Sequence, residues 1–245
     1  MRVPRIYTEQ QLHAATGIQL EAGPSQHIAR VLRMRAGDTL VLFNGSGGQY
    51  SADISAIDKK NVWVNTGALQ QRDVESSLHI HLGIAVSRGD RMDWVVQKAT
   101  ELGVSSLTPL FTERNGVRLA GDRADKKHRH WRQIAISACE QCGRNQLPAI
   151  QPALDLGQWL VATDAERKFV LHHRAESAGG VTDKPDSIAL LVGPEGGLSA
   201  AEIAAAEQAG YQSLRLGPRI LRTETAPLAA IAILQARWGD MQLEE

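Results

Sequence analysis

Cysteine occurs only twice in the 245 residues, at Cys139 and Cys142. That is too few for a secreted disulfide framework, so a reducing, cytoplasmic location is expected. Three phenylalanines, three tyrosines and five tryptophans are the whole aromatic complement, too small for a platform on which many bases stack. Nine prolines and a charged fraction of 22% exclude a disordered, low-complexity chain. The longest apolar run, 226–236, falls well short of the roughly 20 residues of a membrane-spanning helix. The opening MRVPRIYTEQ has no apolar centre, so no signal peptide is expected. Charge of either sign is not in excess, with 27 basic and 27 acidic side chains. On its face this neutrality argues against a nucleic-acid partner. What is present is 43% hydrophobic content, enough to core one large domain or two smaller ones.

The neutrality conceals a division. Residues 1–72 carry eight basic and five acidic side chains, and 73–150 carry eleven and nine. Residues 151–245 reverse the balance with eight and thirteen. Arg2, Arg5, Arg30, Arg33 and Arg35 form one basic group. Arg114, Arg118, Arg123, Lys126, Lys127, Arg129 and Arg132 form another. Such clusters are usually solvated surface, but two of them with the acid collected elsewhere make an anionic partner more plausible than the total suggests.

The first seventy residues read as a β-rich unit. A short helix over 25–34 ends at Gly37-Asp38. The segments 39–45, 50–57 and 62–69 then alternate strand patterns with turn clusters. Short connections predict antiparallel pairing and closure into a small barrel. A polar stretch, 72–77, reads as a linker. Beyond it strands and helices alternate: strands at 78–86, 104–111, 169–172, 188–193 and 214–217, and helices at 93–102, 122–142, from Ser199 and from about Thr225. This rhythm predicts an α/β domain with a mostly parallel sheet covered on both faces. The last helix is apolar nearly all round, so it is expected to be buried on more than one side, in a core or at a subunit interface.

Two strand–loop–helix segments are the strongest candidates for a site, against the plainer alternatives of a tight glycine turn in the first and helix capping with solvated arginines in the second. In IALLVGPEGGLSAAEI (188–203) a buried strand enters a glycine-rich loop, and Ser199 with Glu202 forms a capping box. Such loops, at the carboxyl ends of parallel strands, are where α/β proteins bind ligands. No G-x-x-x-x-G-K-[ST] occurs and Glu195 is the loop's one charge, which disfavours a nucleoside triphosphate. In LRLGPRILRTETAP (214–227), Thr223 and Thr225 are candidate caps and Pro227 suits the first turn. There Arg219 and Arg222 bracket the apolar Ile220-Leu221 pair, suited to a flat ring beside an anion. Weaker signals are His172-His173-Arg174 at a strand end and His79 with His81 on one strand face, which without an acidic cluster fit a metal site poorly. Cys139 and Cys142 form a C-x-x-C inside a helix, which fits two buried thiols better than a redox pair.

The segments HIARVLRMRAGD (27–38), KATELGV (98–104), ISACEQCGR (136–144), LLVGPEGGLSAAE (190–202) and LGPRILRTETA (216–226), in this order and spacing, closely resemble the bacterial 16S ribosomal RNA uridine N3-methyltransferase family (RsmE), of the SPOUT class. The likeness spans essentially the whole chain. It implies a PUA-like β-barrel RNA-binding domain over 1–72 and a SPOUT methyltransferase domain over 73–245, with a C-terminal trefoil knot of the rare kind that breaks the rule against threaded chains. It further implies S-adenosylmethionine as cofactor, a homodimer, no metal, and 16S rRNA in the small ribosomal subunit as partner. Cofactor contacts are expected from Leu171 and His172, from Gly193, Glu195 and Gly196, and from Leu216, Gly217, Pro218 and Leu221. Arg222 is the candidate for electrostatic catalysis and Glu224 for the base. RNA contacts are expected from Arg5, Arg30, Arg33, Arg35, Lys126 and Lys127. The rival reading is a non-catalytic RNA-binding assembly factor that keeps a nucleoside pocket.

Overall fold

The computed structural model describes residues 3–116, 120–172 and 183–242. Arg2, Arg118, His173 and Arg174 lie outside these residues. The chain divides into two compact units: Met1–Glu75 with Cys139–Leu147, and Ser76–Ala138 with Pro148–Glu245.

In the first unit, strands β1 (Arg5–Tyr7), β2 (Gly17–Gln19), β3 (Thr39–Phe43), β4 (Gly48–Asp58) and β5 (Asn61–Gln71) form one sheet in the order β1-β3-β4-β5-β2. Side chains alternate across a pleated strand, so Leu40 and Leu42, Ala52 and Ile54, and Val62 and Val64 all face one core, joined by Ile6 and Ile28. Three expectations are corrected. The pairing is mixed, because β1 runs parallel to β3. The sheet path keeps two edges, β1 and β2, rather than closing into a barrel among the described residues. The helix expected over 25–34 begins earlier, as α1 (Ala22–Gln26), and continues as a π-helical turn, His27–Leu32, which Arg33 ends in the left-handed region at φ 53°. Residues 139–147 group with this unit through specific polar bonds. The Tyr7 amide donates to Glu140 Oε1 at 3.0 Å and Arg144 Nη2 pairs with Glu75 at 2.6 Å.

In the second unit, the elements are β6 (His79–Ala85), α2 (Arg91–Glu101), β7 (Ser106–Phe111), α3 (Asp122–Cys142), β8 (Ala149–Ile150), β9 (Leu154–Asp155), α4 (Leu156–Ala162), β10 (Arg167–Leu171), β11 (Ser187–Val192), α5 (Ala200–Gln208), β12 (Gln212–Leu214) and α6 (Thr225–Trp238). The sheet runs β12-β10-β11-β6-β7-β8, with β9 also on β7, and each of these pairings is parallel. A strand buried on both faces reads as a continuous apolar run, and β11 shows why. Ile188, Leu190 and Val192 pack with Val95, Trp131 and Ile231 of α2, α3 and α6. Ala189 and Leu191 pack with Trp159, Leu160 and Ala206 of α4 and α5. The strand expected at 214–217 is displaced to 212–214, which frees 215–224 as a loop. Among the described residues no helix is long and apolar enough to cross a membrane. Helix α6 buries one stripe, Pro227, Ala230, Ile231, Leu234, Gln235 and Trp238, while Ile233 on its other side stays exposed. Within a single chain it is therefore buried on one side, not several.

Candidate active site

Strand β11 ends at Val192 and the chain turns through Gly193–Leu198 into α5. A Cβ on Gly193 would lie 3.0 Å from the Leu198 amide nitrogen and 2.9 Å from its side chain, so the turn closes only over glycine. The Gly197 amide donates to Pro194 O at 2.8 Å, with Gly197 at φ 68°. The expected capping box is present: the Glu202 amide donates to Ser199 Oγ at 3.2 Å, and the Ser199 amide to Glu202 Oε2 at 2.8 Å. Two arginines outside the expected cofactor set, Arg91 and the basic-group member Arg114, hold the loop's crest. Arg91 Nη1 donates to Glu195 Oε1 at 2.6 Å, and Arg114 Nη1 to Gly196 O at 3.0 Å. Arg91 opens α2 just past the end of β6, the strand beside β11, and that ligand-binding edge was the signal available for it. Burial alone would push the Glu195 carboxyl up, but backbone amides and the Arg91 guanidinium outweigh it and hold it below its usual range. Both partners are substantially exposed, so the pair adds little stability. Its consequence is position.

The loop 215–224 and the end of β10 complete a cavity of about 660 Å³, within the size range of small-molecule sites. The His172 amide donates to Leu214 O at 3.1 Å, which fixes the end of β10 beside β12. Of the residues expected at the cofactor, Leu171, His172, Gly193, Glu195, Gly196, Leu216, Gly217 and Leu221 all line this cavity. Pro218 is not among the lining residues, whereas Arg219, Ile220 and Thr223 are. The capping expectation is corrected. Glu224 occupies the position before α6 without a side-chain cap to the described backbone, Thr225 is already helical, and Thr223 is buried in the cavity wall. Pro227 does fall in the first turn of α6. Arg222 stands apart from the lining. Its side chain is 84% exposed, with Nη1 3.9 Å from Glu224 Oε1. Glu224 Oε2 lies 3.8 Å from Arg91 Nε.

The expected RNA contacts separate. Arg30, Arg33 and Arg35 are exposed on and just after the π-helical turn. Lys126 is exposed, while Lys127 is half-buried, with Nζ 3.9 Å from Asp93 and over the Trp131 ring. Arg5 is corrected: it is buried, donates to Gln49, to Arg144 O and to Asn145 Oδ1, and lies over the Phe43 ring. Its guanidinium ties residues 144–145 to β1 and does not face solvent. Among the described residues no group of three or more His, Cys, Asp or Glu is placed to hold a metal. His79 and His81 instead meet Ser105 and Ser106 on the neighbouring chain segment.

Cys139 and Cys142 are free, and Cys139 is buried. Burial pushes the Cys139 thiol up to about 12, the reverse of what a redox cysteine needs. In the native protein at neutral pH, a thiol reagent is therefore expected to label at most one site, Cys142, and both after unfolding. Rapid labelling of Cys139 in the native state would contradict its burial.

Residues 74–235 match the family described as RNA methyltransferase domain, and residues 25–66 match the RNA methyltransferase PUA domain. The chain is 38% identical over 242 residues to ribosomal RNA small subunit methyltransferase E of Buchnera aphidicola subsp. Schizaphis graminum, covering 98% of each. It is 30% identical over 237 residues to the Bacillus subtilis protein of the same name, covering 93% of each. Among solved structures, it is similar to a methyltransferase from Legionella pneumophila in complex with the cofactor S-adenosylmethionine, at 41% identity and a TM-score of 0.95, over 98% of this chain and 100% of that one. It is likewise similar to ribosomal RNA small subunit methyltransferase E from Neisseria gonorrhoeae bound to S-adenosylmethionine, at 39% identity and a TM-score of 0.93, with the same coverage. With its PUA-like sheet, its SPOUT-like parallel-sheet domain and the strand-end cavity between its two loops, the chain belongs to the family of ribosomal RNA small subunit methyltransferase E.

Proposed function

We propose that this chain transfers a methyl group from S-adenosylmethionine to N3 of a uridine in 16S rRNA of the small ribosomal subunit. The observation that carries this reading is the cavity between the loops after β11 and β12, lined by eight of the residues that the family's motifs assign to the cofactor. Its walls suit that ligand. Leu171, Leu214, Leu216 and Leu221 offer apolar cover to a purine ring, Gly193 admits close backbone approach, and Glu195 offers a carboxylate near a cation. S-adenosylmethionine, when bound, supplies an electrophilic methyl group on a sulfonium sulfur.

The chain's own residues then have three tasks: holding the cofactor, placing the uracil, and managing the proton on N3. N3 is a poor nucleophile while protonated, so the site has to favour the charge that spreads onto O2 and O4 as the proton leaves. Arg222, exposed beside Glu224 at the cavity's edge, is assigned that electrostatic role, and Glu224 is the candidate base. N3 lies on the Watson–Crick edge, so the target must be unpaired or turned out of its helix. The domains divide the work, with RNA binding over 1–72 and chemistry over 73–245, where the C-terminal loops form the trefoil knot. Two copies pair through the uncovered side of α6, where Ile233 is exposed. The reaction is cytoplasmic.

Labelled S-adenosylmethionine and small subunits lacking the modification test this directly, and mapping is expected to find one N3-methyluridine. RNA binding without transfer would favour the non-catalytic assembly factor instead. RNA affinity is expected to fall steeply with salt. Replacing Arg30, Arg33 and Arg35 by glutamine should weaken binding and flatten the log–log salt slope by about two to three. An unchanged slope would remove the first unit from RNA recognition.

A further inference from the structure

A second hollow adjoins the cofactor cavity within the same unit. It has a volume of about 970 Å³ and is bounded by Arg88, Asp90, Arg91, Trp94, Arg114 and Glu224, together with the loop crest at Glu195 and Gly196. Arg114, Glu195 and Gly196 line both spaces, so one loop forms the wall between them. Methyl transfer joins two reactants whose reacting atoms stand about 3–3.5 Å apart with their orbitals aligned. A donor in one cavity therefore requires an acceptor space contiguous with it, and this hollow provides one.

Its lining suits a base. Trp94 is 52% exposed, although its helix neighbours Met92, Val95, Val96 and Ala99 are buried in the core. A large indole left outside a well-packed helix face offers a π-surface that any base can stack on. Lys98 Nζ stands 5.2 Å from its ring centroid, a cation–π contact that steadies the ring. The charges of the hollow balance, with three arginines against Asp90, Glu195 and Glu224. Balanced charge fits an uncharged uracil better than a run of phosphates. Arg91 is committed to Glu195 and Glu224, so its part is to position the wall. Arg88 Nε donates to Gly116 O at 3.2 Å and Arg114 Nη1 to Gly196 O at 3.0 Å. A guanidinium carries five N–H groups, so each of these can also donate to a keto oxygen.

We infer that this hollow receives the acceptor uracil, with Trp94 stacked on its ring and the Arg88 and Arg114 guanidiniums holding the base in place through a keto oxygen. The assignment rests on the methyl-transfer reading above. Trp94→Ala is expected to raise KM for small subunits roughly tenfold, with the cofactor Kd, measured by calorimetry, unchanged. Trp94→Phe, which keeps a ring face, should recover most of the loss, and Arg88→Gln should raise KM with cofactor binding intact. Wild-type KM in Trp94→Ala would overturn the site. So would cofactor affinity falling in step with activity. A sedimentation shift to a smaller species in either Trp94 variant would make this face a subunit contact and overturn it too. Failure of the wild-type chain to methylate subunits is seen before any variant is made, and would remove the underlying reading and the site together.

Discussion

Arg222→Ala is expected to leave S-adenosylmethionine affinity within about twofold of wild type while lowering kcat for methyl transfer by about a hundredfold, the usual consequence of losing one donor aimed at developing charge. The geometry predicts this split. Leu216, Gly217, Leu221 and Thr223 line the cavity proposed for the cofactor, whereas the Arg222 side chain is 84% exposed and reaches toward Glu224. Glu224 lines the adjoining hollow, so on the proposed assignment deletion of the guanidinium acts on the acceptor side and leaves the donor side in place. Calorimetry showing cofactor binding weakened as much as turnover would abolish the division of labour.

Gly83→Ala is expected to destabilise the fold by about 3 kcal/mol in denaturant unfolding, at the upper end of the usual cost of overpacking a core. Elsewhere the same exchange often stabilises by about 0.4–1 kcal/mol, because alanine restricts the unfolded chain. Here the sign is set by packing. Gly83 lies on β6 between β11 and β7, and an added Cβ would stand 2.5–2.7 Å from three atoms of the Trp159 indole. Trp159 cannot withdraw cheaply, because it sits in the core beneath α4 and α5 and packs against Tyr211 with ring centroids 5.7 Å apart. Pairing Gly83→Ala with Trp159→Leu should return part of the loss relative to Trp159→Leu alone. A stable Gly83→Ala protein would show that the indole does not rest on the strand.

Much of the second unit was legible because its signals are local. The apolar run Ile188–Val192 announces a strand buried on both faces, the Ser199–Glu202 pair announces a helix start, and Gly103, at φ 83°, ends α2 where the pattern stops. The first unit was less legible. Strands β1 and β2 are three residues each, too short to show alternation, and β1 gains its place only by pairing with β3. Helix α4 was missed for the same reason, being seven residues long. Nor does chain order announce that residues 139–147 belong with the first unit, since Arg5, Glu75 and Tyr7 find their partners there more than sixty residues away.

The cavity shows the same division. Glycines and apolar residues on two loops could be assigned from their motifs, because a tight turn and a close backbone approach leave a mark on the residues that make them. The arginines could not be sorted in that way. A guanidinium looks alike in sequence whether it is buried against Gln49 like Arg5, paired across a loop like Arg91, or open to solvent like Arg222. The sequence by itself determined the parallel α/β domain, the two loops that line the cavity and a neutral total divided into basic and acidic thirds. Only the tertiary structure decided which charges remain available, because that depends on what the fold brings within about 3–4 Å of each one, and neither composition nor spacing carries that distance.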